Sequence, residues 1–155
     1  MTDLSRILKA KKPLTLASVA RGAQPIVLAD LARAGSGRTV FVAPDDAAMR
    51  AVADAAGYFA PELETIEFPA WDCLPYDRAS PALSINAQRL SALHRLQSGK
   101  NGPQLLVTTV NALLQRVLTP FRIRETVRSI KPGMQFGHES LIGLLQRQGY
   151  SRTDT

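Results

Sequence analysis

The sequence has 155 residues and a mass of 16.8 kDa, about the length of one domain or of one and a fraction. Hydrophobic residues make up 45% and charged residues 21%, with a mean hydropathy of −0.05, which excludes a disordered tail, a collagen-like repeat and a disulfide-rich miniprotein. The net charge of +6 is uneven: residues 1–40 carry +5, residues 41–115 carry −3 and residues 116–155 carry +4. Basic ends around an acidic middle suit a nucleic-acid or other anionic partner, or simply a solvated surface. Cys73 stands alone, so neither a cysteine zinc cluster nor an internal disulfide is available. The start lacks a basic region leading into an apolar one, and no apolar run approaches the roughly 20 residues that cross a bilayer. The chain reads as a soluble, cytoplasmic protein without a membrane partner.

Leu14-Thr-Leu-Ala-Ser-Val19 is short, apolar and partly β-branched, and predicts a buried strand. Residues 24–34 predict a helix that Pro25 starts, and Gly35-Ser-Gly37 ends it. Thr39–Ala43 predicts a second strand. Asp45 or Asp46 then caps a helix that runs to Gly57. Glu64–Phe68 predicts a third strand, followed by a proline-rich loop to Pro81. A helix over 84–97, capped by Ser84, and a fourth strand over 105–110 follow, and Asn111 can cap a short helix to Leu118. Continuous apolar strands alternating with helices predict an α/β fold, an open and mostly parallel sheet with helices on both faces. After Pro120 the register changes. Arg122–Arg128 alternates imperfectly, as an exposed strand would, Lys131-Pro-Gly133 is a turn, and His138–Gln148 is a short helix. The division is a first domain over 1–121 and the start of a small α+β domain over 122–155.

Ala34-Gly-Ser-Gly-Arg-Thr39 superficially resembles the end of a phosphate loop, but it leaves a helix and enters a strand, the reverse of the anion-binding order. Arg38 also replaces the compact lysine charge. The frame for a phosphate loop lies at Ser18–Pro25, where Gly22 is the one glycine and no Gly-Lys-Ser/Thr occurs. A nucleotide-type fold here is a degenerate copy. His94 and His138 have no neighbour at metal-ligand spacing, and Cys73 has no basic partner nearby in sequence. Asp72 and Asp77 suit turn or capping roles, and Ser80 lacks a nucleophile-elbow context. No catalytic constellation and no metal site emerges. Trp71 and Tyr76, among Pro69, Pro75 and Pro81, either pin the long loop onto the domain or form a recognition patch. Lys9, Lys11, Lys12, Arg122, Arg124, Arg128 and Lys131 are the basic positions open to phosphate contacts in a nucleic-acid-binding module.

Phe68-Pro-Ala-Trp-Asp-Cys-Leu-Pro-Tyr-Asp-Arg-Ala-Ser-Pro81, followed by Arg89-Leu-Ser-Ala-Leu93, resembles the amino-terminal region of the bacterial transcription-repair coupling factor (Mfd) family. The signature positions are Trp71, Asp72, Leu74, Pro75, Tyr76, Asp77, Pro81 and Arg89. Val42-Ala-Pro44, Val107-Thr-Thr-Val-Asn-Ala-Leu-Leu-Gln-Arg116, Lys131-Pro-Gly133 and Gly149-Tyr150 extend the match across the chain. The resemblance implies a UvrB-like module: a degenerate helicase-like α/β domain without its ATP-site residues, then a small domain that recruits UvrA. It implies no long aromatic hairpin for lesion checking, because only Pro69–Pro81 separates strand from helix. In the family, ATP and magnesium serve a motor far downstream that translocates on DNA and displaces stalled RNA polymerase. None of the motor motifs is in this chain, and the UvrA-facing arginines would follow Thr155. The implied role is that of a fragment of the coupling factor, without enzymatic activity or cofactor of its own.

Overall fold

The computed structural model describes residues 4–74, 76, 78–98, 102–127, 130–135, 137–147, 150, 151 and 153. Two compact units divide the chain at Val117 and Leu118. In the first, a short helix α1 (Leu4–Leu8) precedes α2 (Gln24–Ala34), β1 (Thr39–Ala43), α3 (Asp46–Phe59), β2 (Glu64–Phe68), α4 (Leu83–Gln97), β3 (Gln104–Thr109) and α5 (Val110–Leu114). The three strands form a parallel sheet in the order β1-β3-β2. Helices pack on both faces, as continuous apolar strands require.

The central strand divides its side chains between two cores. Leu105 and Val107 face Ala29 and Ala32 of α2 and Met49, Val52, Ala53 and Ala56 of α3. The small alanines on both helices let their backbones approach closely. The opposite face buries Ile66 and Phe68 of β2 against Ala92 of α4 and Ala112 of α5, with Leu106 half-buried beside them. At the amino-terminal edge of the sheet, polar side chains join the strands. Arg38 Nε donates to Gln104 Oε1 at 2.9 Å, Gln104 Nε2 donates to Glu64 Oε2 at 2.9 Å, and Arg95 Nε donates to Glu64 Oε1 at 3.0 Å. Arg38 therefore serves strand alignment at the end of the sheet opposite to where open α/β folds bind ligands.

Local signals explain most boundaries. A 3₁₀ turn, Arg21–Ala23, leads into α2, which carries Pro25 in its first turn. Gly35 ends α2, and a Cβ there would lie 3.0 Å from the Leu31 carbonyl oxygen, so the position favours glycine. The Asp45 carboxylate accepts from the Ala48 N–H at 2.7 Å and caps α3. That helix continues through the exposed Gly57 to Phe59 and stops only at the buried Ala60, where the chain turns toward Leu63. Thr109, not Asn111, caps α5 through its side-chain oxygen.

Further expectations are corrected. Leu14–Val19 is not a strand: Leu14 and Leu16 are exposed, and Ser18 takes a left-handed φ of 62° that turns the chain. The sheet accordingly has three described strands instead of four, and no strand leads into the Ser18–Pro25 segment. Helix α4 starts at Leu83 with Ala82 as its N-cap, so Ser84 lies inside it. In the second unit, Arg122-Ile-Arg-Glu-Thr belongs to helix α6 (Pro120–Thr126), not to an exposed strand. The Thr119 side chain caps that helix at the Arg122 N–H, and Pro120 starts it. Ile123 is its buried position, and the Val127 N–H that closes the helix donates to the Ile123 carbonyl at 2.9 Å.

The second unit also contains a turn in which the Met134 N–H donates to the Lys131 carbonyl at 3.1 Å, with Gly133 at φ 86°. Helix α7 (His138–Arg147) follows, with Leu141 and Leu144 half-buried.

Candidate functional site

The proline-rich loop leaves β2 at Phe68 and returns to the chain at α4, and one side chain organises it. Arg89 lies on the inner face of α4, in line with Ile85, Ala92, Leu93 and Leu96. It is 2% exposed. Its guanidinium carbon sits 4.2 Å from the centre of the Phe68 ring and 4.3 Å from that of Trp71, so the cation is held between two aromatic faces. Nη1 donates to the Pro69 carbonyl and, at 3.0 Å, to Gln115 Oε1. The same Gln115 oxygen accepts the Trp71 N–H at 2.9 Å. Thr108 Oγ1 donates to the Phe68 carbonyl at 2.8 Å and fixes the end of β2 to β3. Burial lowers the Arg89 pKa below the usual guanidinium value, because the charged form loses hydration. Nη2 is buried without a hydrogen-bond partner among the described residues.

The far side of the loop is tied by Asp72. Its carboxylate oxygens accept the Ala82 N–H at 3.1 and 3.3 Å. A loop carboxylate thus supplies an acceptor at the start of α4, where negative charge also complements the helix dipole. Between these two ties the chain projects outward: Leu74 is 71% and Tyr76 97% exposed. The loop therefore combines the two readings of its aromatics. Trp71 is a half-buried anchor, and Tyr76 faces solvent. Pro81 is half-buried next to Ala82, whereas Pro75 and Asp77 lie outside the described residues.

Gln115 is the residue that sequence reasoning missed. It lies just past α5 and receives both Arg89 and Trp71. Its presence in the Val107–Arg116 run was the available signal.

The Ser18–Pro25 segment borders a groove of about 780 Å3 lined also by Phe41, Pro44, Asp45 and the alanines of α3. Among the described residues, Arg21 is the one cation lining it, and the Asp45 carboxylate is engaged as the α3 cap. Gly22 is exposed, and the buried Pro25 has no N–H to offer an anion. This chemistry does not fit a nucleotide triphosphate with magnesium, which requires a cradle of backbone N–H groups and a lysine.

In the first unit Arg6, Lys9, Lys11 and Lys12 border one shallow concavity. Arg122 and Arg124 are exposed on α6, where Arg122 lies 3.6 Å from Glu125, and Lys131 is exposed in the following turn. Arg128 lies outside the described residues. Lys9, Lys11 and Lys12 are exposed in the first unit. Cys73 is a half-buried free thiol. Among the described residues, no three His, Cys, Asp or Glu side chains come together as a metal site, and no helix is long and apolar enough to cross a membrane.

No protein-family model matches the chain. The chain is 30% identical over 135 residues to the transcription-repair-coupling factor of Haemophilus influenzae, covering 87% of this chain and 12% of that protein. It is 28% identical over 146 residues to the Escherichia coli K12 protein of the same name, covering 94% of this chain and 12% of that one. The Myxococcus xanthus transcription-repair-coupling factor is 34% identical over 135 residues, covering 82% of this chain and 11% of that protein. The chain thus spans about one eighth of the length of these relatives. Over the stretch that it spans, the chain belongs to the transcription-repair-coupling factor family.

Proposed function

We propose that the chain is a non-catalytic amino-terminal module of a transcription-repair coupling factor in the cytoplasm. In the longer family protein, the complete module recruits UvrA to RNA polymerase stalled at DNA damage and restrains the ATPase motor. The observation that carries this reading is the family-signature loop. Arg89 fixes its base between Phe68 and Trp71, while Leu74 and Tyr76 remain exposed. A rigid base with an exposed apolar tip suits docking better than chemistry, because a preorganised surface loses little entropy on binding. The groove beside Gly22 and Pro25 supports the same reading, since its residues do not suit ATP–magnesium. On this view the first domain covers 1–121, and residues 122–155 begin the UvrA-facing domain.

Two experiments test this function. Calorimetric titration with ATP–magnesium is expected to give no binding heat, and micromolar binding with hydrolysis would contradict a non-catalytic module. UvrA is then titrated against this chain and against a version continued into the following part of the family protein. The continued version is expected to bind at least about tenfold more tightly, roughly 1.4 kcal/mol. Equal binding would move the UvrA contacts into this chain, and no binding by either would overturn recruitment.

A further inference from the structure

The two edges of the sheet are finished differently. In the order β1-β3-β2, both β1 and β2 pair on one side only. β2 carries Glu64 and Glu67, and Arg95 Nη2 donates to the Thr65 carbonyl at 2.9 Å. Charges and a side-chain donor at an edge discourage a further strand. β1, Thr39-Val-Phe-Val-Ala43, carries no charge. Among the described residues, it makes no hydrogen bond outside the sheet.

β1 is also bare on one face. Phe41 and Ala43 join the core under α2 and α3. Val40 and Val42 alternate with them and therefore face the other side of the sheet. There α4 and α5 cover β2 and β3, and among the described residues no β1 side chain joins that core. Val40 is 50% and Val42 40% exposed, although they lie in register with Leu106 and Thr108 of the central strand. An all-parallel sheet ordinarily has both faces covered, and here the cover stops short of β1. The carboxyl half of the strand opens into the groove of about 780 Å3 that Phe41 and Val42 line with the α3 alanines. An incoming strand would meet free main-chain groups, two valines on one face and a groove for its alternate side chains. Those are the elements of recognition by strand addition.

The size of the edge selects its occupant. A strand of five residues is about 17 Å long. That is too short to give a free partner the roughly 800 Å2 per side of a stable interface. A strand on the same polypeptide needs far less area, because tethering gives it a high effective concentration. The matched stretch makes up 12% of the Haemophilus influenzae and Escherichia coli coupling factors, so most of such a polypeptide lies outside it. We propose that the free edge of β1 is the docking site for an apolar β-strand from the part of the coupling-factor polypeptide outside this stretch. The added strand extends the sheet and covers Val40 and Val42. This docking follows from the bare edge and from family membership, so it and UvrA recruitment can fail separately.

The test is amide hydrogen exchange, read at single residues, on this chain alone and on a chimera in which it replaces the matching stretch of the Escherichia coli coupling factor. Main-chain pairing carries most of the affinity in strand addition, so the chimera tolerates sequence differences. Successive amides of a strand point to opposite neighbours. In the chain alone, alternate amides over Val40–Ala43 are therefore expected to exchange freely. In the chimera the same amides are expected to slow at least about a hundredfold. Both proteins are also made with Val40→Lys and Val42→Lys. The two positions are exposed, so the chain alone is expected to keep its thermal midpoint within a few degrees. The lysine chimera is expected to lose the added protection. The proposal is overturned if the β1 amides exchange alike in chain and chimera, or if the lysine chimera keeps the protection. Sedimentation of the chain alone as a dimer with every β1 amide protected would also overturn it, by assigning the edge to a second copy.

Discussion

Two irregular segments of the first unit, Pro69–Ala82 and Pro13–Ala23, have opposite physical characters. The first connects β2 to α4 and is tied at both ends, by Arg89 and Gln115 at its base and by Asp72 at the start of α4. The second precedes α2, exposes Leu14 and Leu16, and turns at Ser18. Both are rich in apolar residues, so hydrophobicity does not separate them. The difference is polar chemistry. A long loop keeps one conformation when a buried donor matches its carbonyl and a side-chain oxygen matches its N–H groups. Among the described residues, no side-chain hydrogen bond ties the Pro13–Ala23 segment in this way.

Substitutions can break this contrast, starting with the clamp. Arg89→Ala removes two cation–aromatic contacts, takes the Arg89 donor from the Pro69 carbonyl and leaves the Gln115 oxygen with the Trp71 N–H alone, and is expected to cost about 3 kcal/mol in urea unfolding. Trp71 is the only tryptophan, so its emission is expected to shift to the red in the same variant as the ring leaves the guanidinium. An unshifted spectrum with unchanged stability would show that the loop is held by something else. Arg89→Lys is not a rescue, because an ammonium cannot span two ring faces and two acceptors.

Gln115→Ala leaves the Trp71 N–H without its acceptor and is expected to cost about 1–2 kcal/mol by the same measurement. Because Arg89 and Gln115 share one network, the double variant is expected to cost less than the sum of the single ones. Asp72→Ala acts on the exposed end of the loop and is expected to cost about 0.5–1 kcal/mol, the usual value of an acceptor at a helix start. Leu16→Ala, on the untied segment, is expected to change stability by less than about 0.5 kcal/mol. A large loss there would mean that Leu16 belongs to a core after all.

Much of the architecture was legible in the sequence, and the exceptions have physical reasons. β3, the central strand, is a largely buried run, whereas the edge strands β1 and β2 expose Val40, Val42 and Glu67; all three are short segments next to proline, which made them legible. Leu14–Val19 has the same composition, but a strand also needs a neighbouring edge to pair with, and composition does not carry that information. The alternation over Arg122–Arg128 misleads because so few charged and apolar residues do not separate a strand from a single helical turn with one buried position, Ile123. Thr119-Pro120 was the helix-start signal that decided it.

The loop signature was legible as a signature, but its mechanism was not. An arginine on a helix reads as a solvent-facing charge, yet Arg89 falls on the apolar stripe of Ile85, Ala92, Leu93 and Leu96, and that position marks it as buried. The involvement of Gln115 depends on tertiary contact across 26 residues of chain.

The contrast between the two segments is tested most directly by amide hydrogen exchange, followed residue by residue. The Trp71 and Ala82 amides donate to Gln115 and Asp72, so they are expected to exchange far more slowly than an unstructured chain. The amides of Leu14–Ser18 are expected to exchange close to the unprotected rate, as exposed backbone without a ladder does. Equal protection in the two segments, or fast exchange at Trp71, would contradict the clamp.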